Sequence, residues 1–309
     1  MMQIKFKPVL FSLILVGTLL ISCNSGLTSK TAVETVPPAK QYADATQTQA
    51  VVASTQAVLP SPTVESTPQF MPEDWRLWPV IPEVTEKAKE IYKKGIALGN
   101  NPHAFSKIGD CQNLKNAFLG LYDLKGRFDP EGRVKPYLDT IDNFKGYWNR
   151  DGESAKFGFT AASPLSSIWS NPDNCLPEEN PMECELRITK PSFVLISLEF
   201  YFKGRTVEIY ERYMRQIIEY VISQGAVPIL STKADNMEKD YSINLTTAKL
   251  AYEYDLPMWN FWLAAQPLGD HGIDLQRDGF HITVQGWNER SFTFLQTLDH
   301  LWKELRDIK

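Results

Sequence analysis

Ala104-Phe105-Ser106-Lys107-Ile108-Gly109-Asp110-Cys111-Gln112 is a short strand-like run that stops at a Gly-Asp turn and delivers one nucleophilic side chain to its tip. A thiol attacks as its thiolate, so Cys111 needs a base to take its proton, and histidine is the usual choice. Far downstream, Asp278-Gly279-Phe280-His281 sets an acid three residues before an imidazole. That spacing lets the carboxylate fix the ring's tautomer. The rest of the chain is read as the frame that brings the two stretches together.

In this order, at opposite ends of the globular part, they resemble the first and last blocks of the SGNH/GDSL hydrolases over roughly residues 100 to 300. The resemblance implies a flavodoxin-like three-layer α/β/α sandwich with a mostly parallel sheet. It puts the nucleophile in the turn after the first strand and the Asp-x-x-His pair before the last helix. Gly109, Asp110, Asp278 and His281 match the family pattern, and Cys111 stands where the family has its serine. Phe157-Gly158-Phe159-Thr160 is similar to the second block, which implies that the Gly158 amide helps to hold an oxyanion. After their central strand many relatives carry Gly-x-Asn-Asp, whose asparagine donates to the oxyanion; this chain has Glu199-Phe200-Tyr201-Phe202. Losing one such donor costs about 100- to 1000-fold in rate, and the Tyr201 hydroxyl is the group available to compensate.

The chain has 309 residues, 43% of them hydrophobic, and a net charge of -5, so charge-driven nucleic-acid binding is excluded as its business. Residues 1–22 carry Lys5 and Lys7 ahead of an apolar run from Val9 to Ile21, too short for a comfortable membrane span and suited to a signal-peptide core. Leu20-Ile21-Ser22-Cys23 resembles a bacterial lipobox, which implies that Cys23 is acylated and anchors the chain on the extracytoplasmic face of the cell membrane. Residues 23–71 are rich in Thr, Ser, Ala, Gln and Pro with almost no aromatic residues, a composition expected of a disordered stalk. The hydrolase-like domain is expected over 72–309, opening with Trp75 and Trp78. In an exported chain Cys175 and Cys184, bracketing a Pro-Glu-Glu-Asn-Pro loop, are expected to form a disulfide, with two free thiols as the alternative. Cys111 is then the odd thiol.

Between the two key stretches the apolar pattern predicts alternating helices and strands. A helix is expected over 82–98 and another over 114–121, with its amides facing the thiol. Ser192 to Leu198 reads as a buried parallel strand, and Thr206 to Gln224 as an amphipathic helix. Ala226 to Leu230 is the next strand, followed by a helix over 243–254, a strand over 257–261 and a closing helix over 283–306. Lys233, Asp235 and Asn236 follow a strand end, where open α/β sheets place their ligands, and are candidate substrate contacts; a plain loop is the other reading. Trp169, Trp259, Trp262 and Trp287 are candidate pocket walls. His271 lies near Asp270 and Asp274, but no cofactor or metal is expected.

The expected chemistry is acyl transfer on an ester of a small molecule or polysaccharide, with Cys111 as nucleophile, His281 as base and Asp278 as orienting acid. Two alternatives remain: a binding lipoprotein that keeps the cleft without turnover, and a thiol that transfers its acyl group to an acceptor other than water.

Overall fold

A computed structural model describes residues 70–198 and 205–308. The expected signal peptide, Cys23, nearly all of the expected stalk and Tyr201 lie outside the described residues. The elements, in chain order, are a 3-10 turn at Pro72–Leu77, helix α1 (Glu86–Ala97), strand β1 (Asn101–Gly109), helices α2 (Leu138–Asn143) and α3 (Pro181–Thr189), strand β2 (Pro191–Ser197), helix α4 (Val207–Ser223), strand β3 (Val227–Ser231), helix α5 (Ser242–Glu253), strand β4 (Met258–Trp259), and helices α6 (Phe261–Ala265) and α7 (Val284–Leu305).

The four strands pair in the order β1-β2-β3-β4, all parallel. Gly109 lies opposite Ser197, and Ser231 opposite Trp259, so the strands end together along one edge of the sheet. A fifth parallel neighbour is reduced to a single bridge, Gly109 to Ala155. Strands that step one way across a sheet by right-handed crossovers put the helices that lead into each next strand, α3, α4 and α5, on one face. Ser106 Oγ accordingly donates to Glu185 of α3, and the Tyr210 hydroxyl of α4 bonds Thr247 of α5. On the other face Phe193 of β2 meets Tyr92 of α1 and Phe144 beside α2, while Phe294 of α7 packs on Phe105 and Trp259. The result is an α/β/α sandwich. The strands lie buried on both faces, which is why they read as apolar runs without alternation.

Several expectations change in detail. No helix forms over 114–121: Cys111–Asn113 is one 3-10 turn, and the chain bends again at Leu119, whose φ of 67° no α-helix accommodates. The strand expected over 257–261 is only Met258–Trp259, because the Asn260 side chain accepts from the Leu263 N–H and starts α6. Helix α3 was not anticipated. Its start is a capping box in which Asn180 and Glu183 bond each other's backbone, with Pro181 at the first position. Cys175 and Cys184 are disulfide-bonded and Cys111 is free.

Candidate active site

At the carboxyl end of β1 the backbone leaves the sheet abruptly. Gly109 makes this possible: a Cβ there would lie 2.1 Å from Asn113 Nδ2. The Asp110 carboxylate accepts from the Gln112 N–H at 2.8 Å and from Asn113 Nδ2 at 3.4 Å, and Asn113 Nδ2 also donates to the Ser197 carbonyl at 2.9 Å. This fixed turn carries Cys111.

The imidazole comes from the loop before α7. That loop closes on itself through an Ile273–Ile282 bridge, with the Asp274 N–H donating to the His281 carbonyl. Asp278 Oδ1 accepts the N–H groups of Phe280 (3.0 Å) and His281 (2.8 Å), while Oδ2 lies 2.6 Å from His281 Nδ1. Nδ1 therefore carries the proton toward Asp278 and the Nε2 lone pair faces outward. Cys111 Sγ lies 3.5 Å from Nε2. Gln112 Nε2 donates to the Phe280 carbonyl at 3.3 Å, a second tie between turn and loop.

The charges follow from this geometry. Partial burial draws the Asp278 carboxyl upward, but the bonds from the His281 N–H, the His281 ring and the Phe280 N–H outweigh it and hold the group down at about 2. Cys111 moves the other way. Burial, followed by the neighbouring Asp110 charge, pushes its thiol up to about 12. No helix starts behind the sulfur, so the amides expected to face the thiol from a helix over 114–121 do not lower it. Cys111 thus rests as a thiol, and its proton leaves only to a base already in contact.

Gly158 has a φ of 78° and follows closely on Lys156, whose N–H donates to the Gly109 carbonyl. The segment that carries it therefore flanks the Cys111 turn. Lys233 lines a small cleft with Asp110, Gln112, Ser197 and Phe280; its volume is about 20 Å³, room for one water. The Lys233 ammonium is held by Asp235 at 2.7 Å and Glu238 at 2.5 Å. Asp235 is buried and also accepts from the Met237 N–H, and Asn236 accepts from the Tyr241 N–H, so both side chains shape the loop behind Lys233. Trp259 is a core residue stacked on Phe118, not a pocket wall. Trp262 packs edge-on against Trp75, whereas Trp169 is half exposed beside Phe159. His271 Nδ1 contacts the Gln266 carbonyl. Cys175, Glu179 and Cys184 form the metal-like cluster among the described residues, but their two sulfurs are joined and cannot act as thiolate ligands.

Sequence reading missed Arg290. Its guanidinium, fully buried on α7, donates to the Gln112 carbonyl, Asn113 Oδ1 and Ser197 Oγ. The available signal was a lone charge in an apolar stripe that runs through Trp287, Phe294, Leu298 and Leu301.

No family model matches the sequence, and no curated protein matches it. Among solved structures the chain is similar to the psychrotrophic esterase EstA from Pseudoalteromonas sp., with 17% identity over 66% of this chain and 98% of that one and a TM-score of 0.42. It is also similar to a GDSL-like lipase from Bacteroides thetaiotaomicron, with 14% identity over 69% and 98% and a TM-score of 0.41. A lipase/acylhydrolase from Enterococcus faecalis gives 16% identity over 63% and 94%, with a TM-score of 0.40. The architecture itself is an α/β/α sandwich with a parallel sheet whose first strand runs into the Cys111 turn.

Proposed function

We propose that the protein is a membrane-anchored hydrolase of ester bonds in acylated carbohydrates or related small molecules, working through Cys111, His281 and Asp278. The observation that carries this reading is the continuous line from Cys111 Sγ to His281 Nε2 at 3.5 Å and from Nδ1 to Asp278 at 2.6 Å. In the first half-reaction Nε2 takes the thiol proton as sulfur attacks the acyl carbon. The carbonyl π pair moves onto oxygen, where the Cys111 and Gly158 amides are the candidate donors. Collapse expels the alcohol, which leaves with the proton from His281, and a thioester remains on Cys111. Water then gives a proton to Nε2, attacks the thioester and releases the acid, and the sulfur recovers its proton. A sulfur anion leaves more readily than an alkoxide, so protonation of the alcohol by His281 decides whether the first intermediate goes forward or back. Asp278, ionised throughout, stabilises the imidazolium in both halves.

Lys233, at the cleft wall, is the proposed substrate contact, with Asp235 holding its ammonium and Asn236 shaping its loop. Anchoring through an acylated Cys23 on the extracytoplasmic face is supported by the lipobox-like Leu20-Ile21-Ser22-Cys23 and by the Cys175–Cys184 disulfide, which suits an oxidising compartment.

A second reading is a cleft that binds such a ligand without turning it over. It is favoured by the thiol's rise to about 12 and by the small free volume beside it. A panel of short-chain aryl esters separates the two. Turnover abolished in both Cys111→Ala and His281→Ala supports the hydrolase. An inert wild type that gains activity as Cys111→Ser supports the binding protein.

A further inference from the structure

Arg290 follows His281 by less than three turns of chain into α7, and its side chain passes beneath the nucleophile turn. The guanidinium has no salt-bridged carboxylate among the described residues. Instead its donors reach the Gln112 carbonyl at 2.5 Å, Asn113 Oδ1 at 3.1 Å and Ser197 Oγ at 2.9 Å. Its carbon lies 4.1 Å from the centre of the Phe118 ring, 5.5 Å from that of Trp259 and 5.6 Å from that of Phe261. A buried cation with aromatic faces and neutral acceptors in contact is offset only by charges farther off, here Asp110. Such a charge is costly to bury, and core packing alone gives no reason for an arginine in an apolar stripe.

We infer that Arg290 is the positioning residue of the nucleophile: its fork fixes the two residues after Cys111, and its buried charge supports the sulfur anion formed when His281 takes the proton. The sulfur forms between like charges, with Asp110 on its own turn and Asp278 on the His281 loop. Arg277 on that loop and Arg290 from α7 oppose them, and Lys107 on β1 approaches the same Phe118 ring at 5.9 Å. Burial lowers the Arg290 guanidinium to about 10, partly offset by Asp110 and Cys111, so it stays charged at neutral pH.

For turnover this inference rests on the acyl-transfer reading, but its test does not, because alkylating a thiol requires no ester. The iodoacetamide reaction rate of Cys111 is measured at neutral pH, where Arg290 is charged, in the folded protein and in its Arg290→Met and Arg290→Lys variants, with ester turnover and thermal unfolding measured alongside. Arg290→Met is expected to alkylate about tenfold more slowly, as a one-unit rise in the thiol would give. Arg290→Lys keeps the charge but loses the fork, so its rate stays near wild type while kcat falls with KM little changed. A wild-type rate in folded Arg290→Met, or a tenfold slower rate in Arg290→Lys, overturns the inference. If Arg290→Met does not fold, the Arg290→Lys rate decides by itself. A wild type without ester turnover sinks the hydrolase reading and leaves the alkylation measurements to decide on Arg290.

Discussion

Asp278 shows how a single carboxylate sets the state of the site. Two backbone amides and an imidazole N–H converge on it, and the group, held down at about 2, is ionised well into acid. Its folded value lies below its ordinary one, so the favourable pairing is fully present above pH 3.8 and is lost as pH falls through about 2. Replacement by asparagine keeps the shape and removes the charge that holds the Nδ1 proton. Asp278→Asn is expected to lower kcat by roughly 10³- to 10⁴-fold while the protein still folds, with a lower unfolding temperature because the charge pairing is lost. In wild type the acid limb of the kcat/KM profile then belongs to some group other than Asp278; a limb that disappears in Asp278→Asn would contradict this. That Cys111, Asp278 and His281 come together was legible, because two short motifs at either end of the domain carry them. Arg290 was not read, because a charged residue on a helix is ordinarily assigned to the solvent face. Its role depends on Gln112, Asn113 and Ser197, which only the fold brings to it. Glu238, the second holder of Lys233, was missed for the same reason.

Helices with a strong apolar stripe were the readable elements. Helices α4 and α7 form within one residue of their expected ends, since each buries one continuous face against the sheet or its neighbours. The segment after Cys111 misled because its apolar residues, Leu114, Phe118 and Leu121, have helical spacing while its backbone is set by a Leu119 in the left-handed region and by Asp151 accepting the Lys115 N–H. Helix α1, expected as an addition before the first strand, is docked by a contact that the sequence does not reveal. Gly95 meets Gly225 at the end of α4, and a Cβ on Gly95 would lie 2.0 Å from the Gly225 carbonyl oxygen. Gly95→Ala must push two backbones apart, so it is expected to lower stability by about 1–3 kcal/mol despite alanine's better helix propensity. Turnover per folded molecule should stay unchanged, because α1 contributes nothing to the Cys111 turn. Denaturant unfolding with an active-site titration measures both, and a stabilised Gly95→Ala would refute the tight docking.

At the scale of the molecule, the parallel sheet decides where chemistry can occur: its four strands end on one edge, and Cys111, Lys233 and the His281 loop gather there. The sandwich was readable from strand-like runs separated by amphipathic helices, and the reduction of a fifth strand to one bridge was not, since residues 154–156 lack any strand-like pattern. Away from that edge, the Cys175–Cys184 link closes a loop with a sequence separation of 9 and joins the start of the loop to α3. Chain-entropy reasoning assigns such a loop about 2–3 kcal/mol of stability. If the protein is exported and anchored as proposed, the chain made in cells should partition with membranes, and Cys23→Ala should release it. Alkylation of the anchored protein before reduction should then tag Cys111 alone, and after reduction Cys111, Cys175 and Cys184. The reduced form should unfold at lower denaturant, yet still hydrolyse ester, because no contact of the disulfide loop reaches the Cys111–His281 pair among the described residues. Soluble wild-type protein would remove the anchor, and Cys175 and Cys184 reactive without reduction would place the chain in a reducing compartment and remove the basis for an envelope substrate.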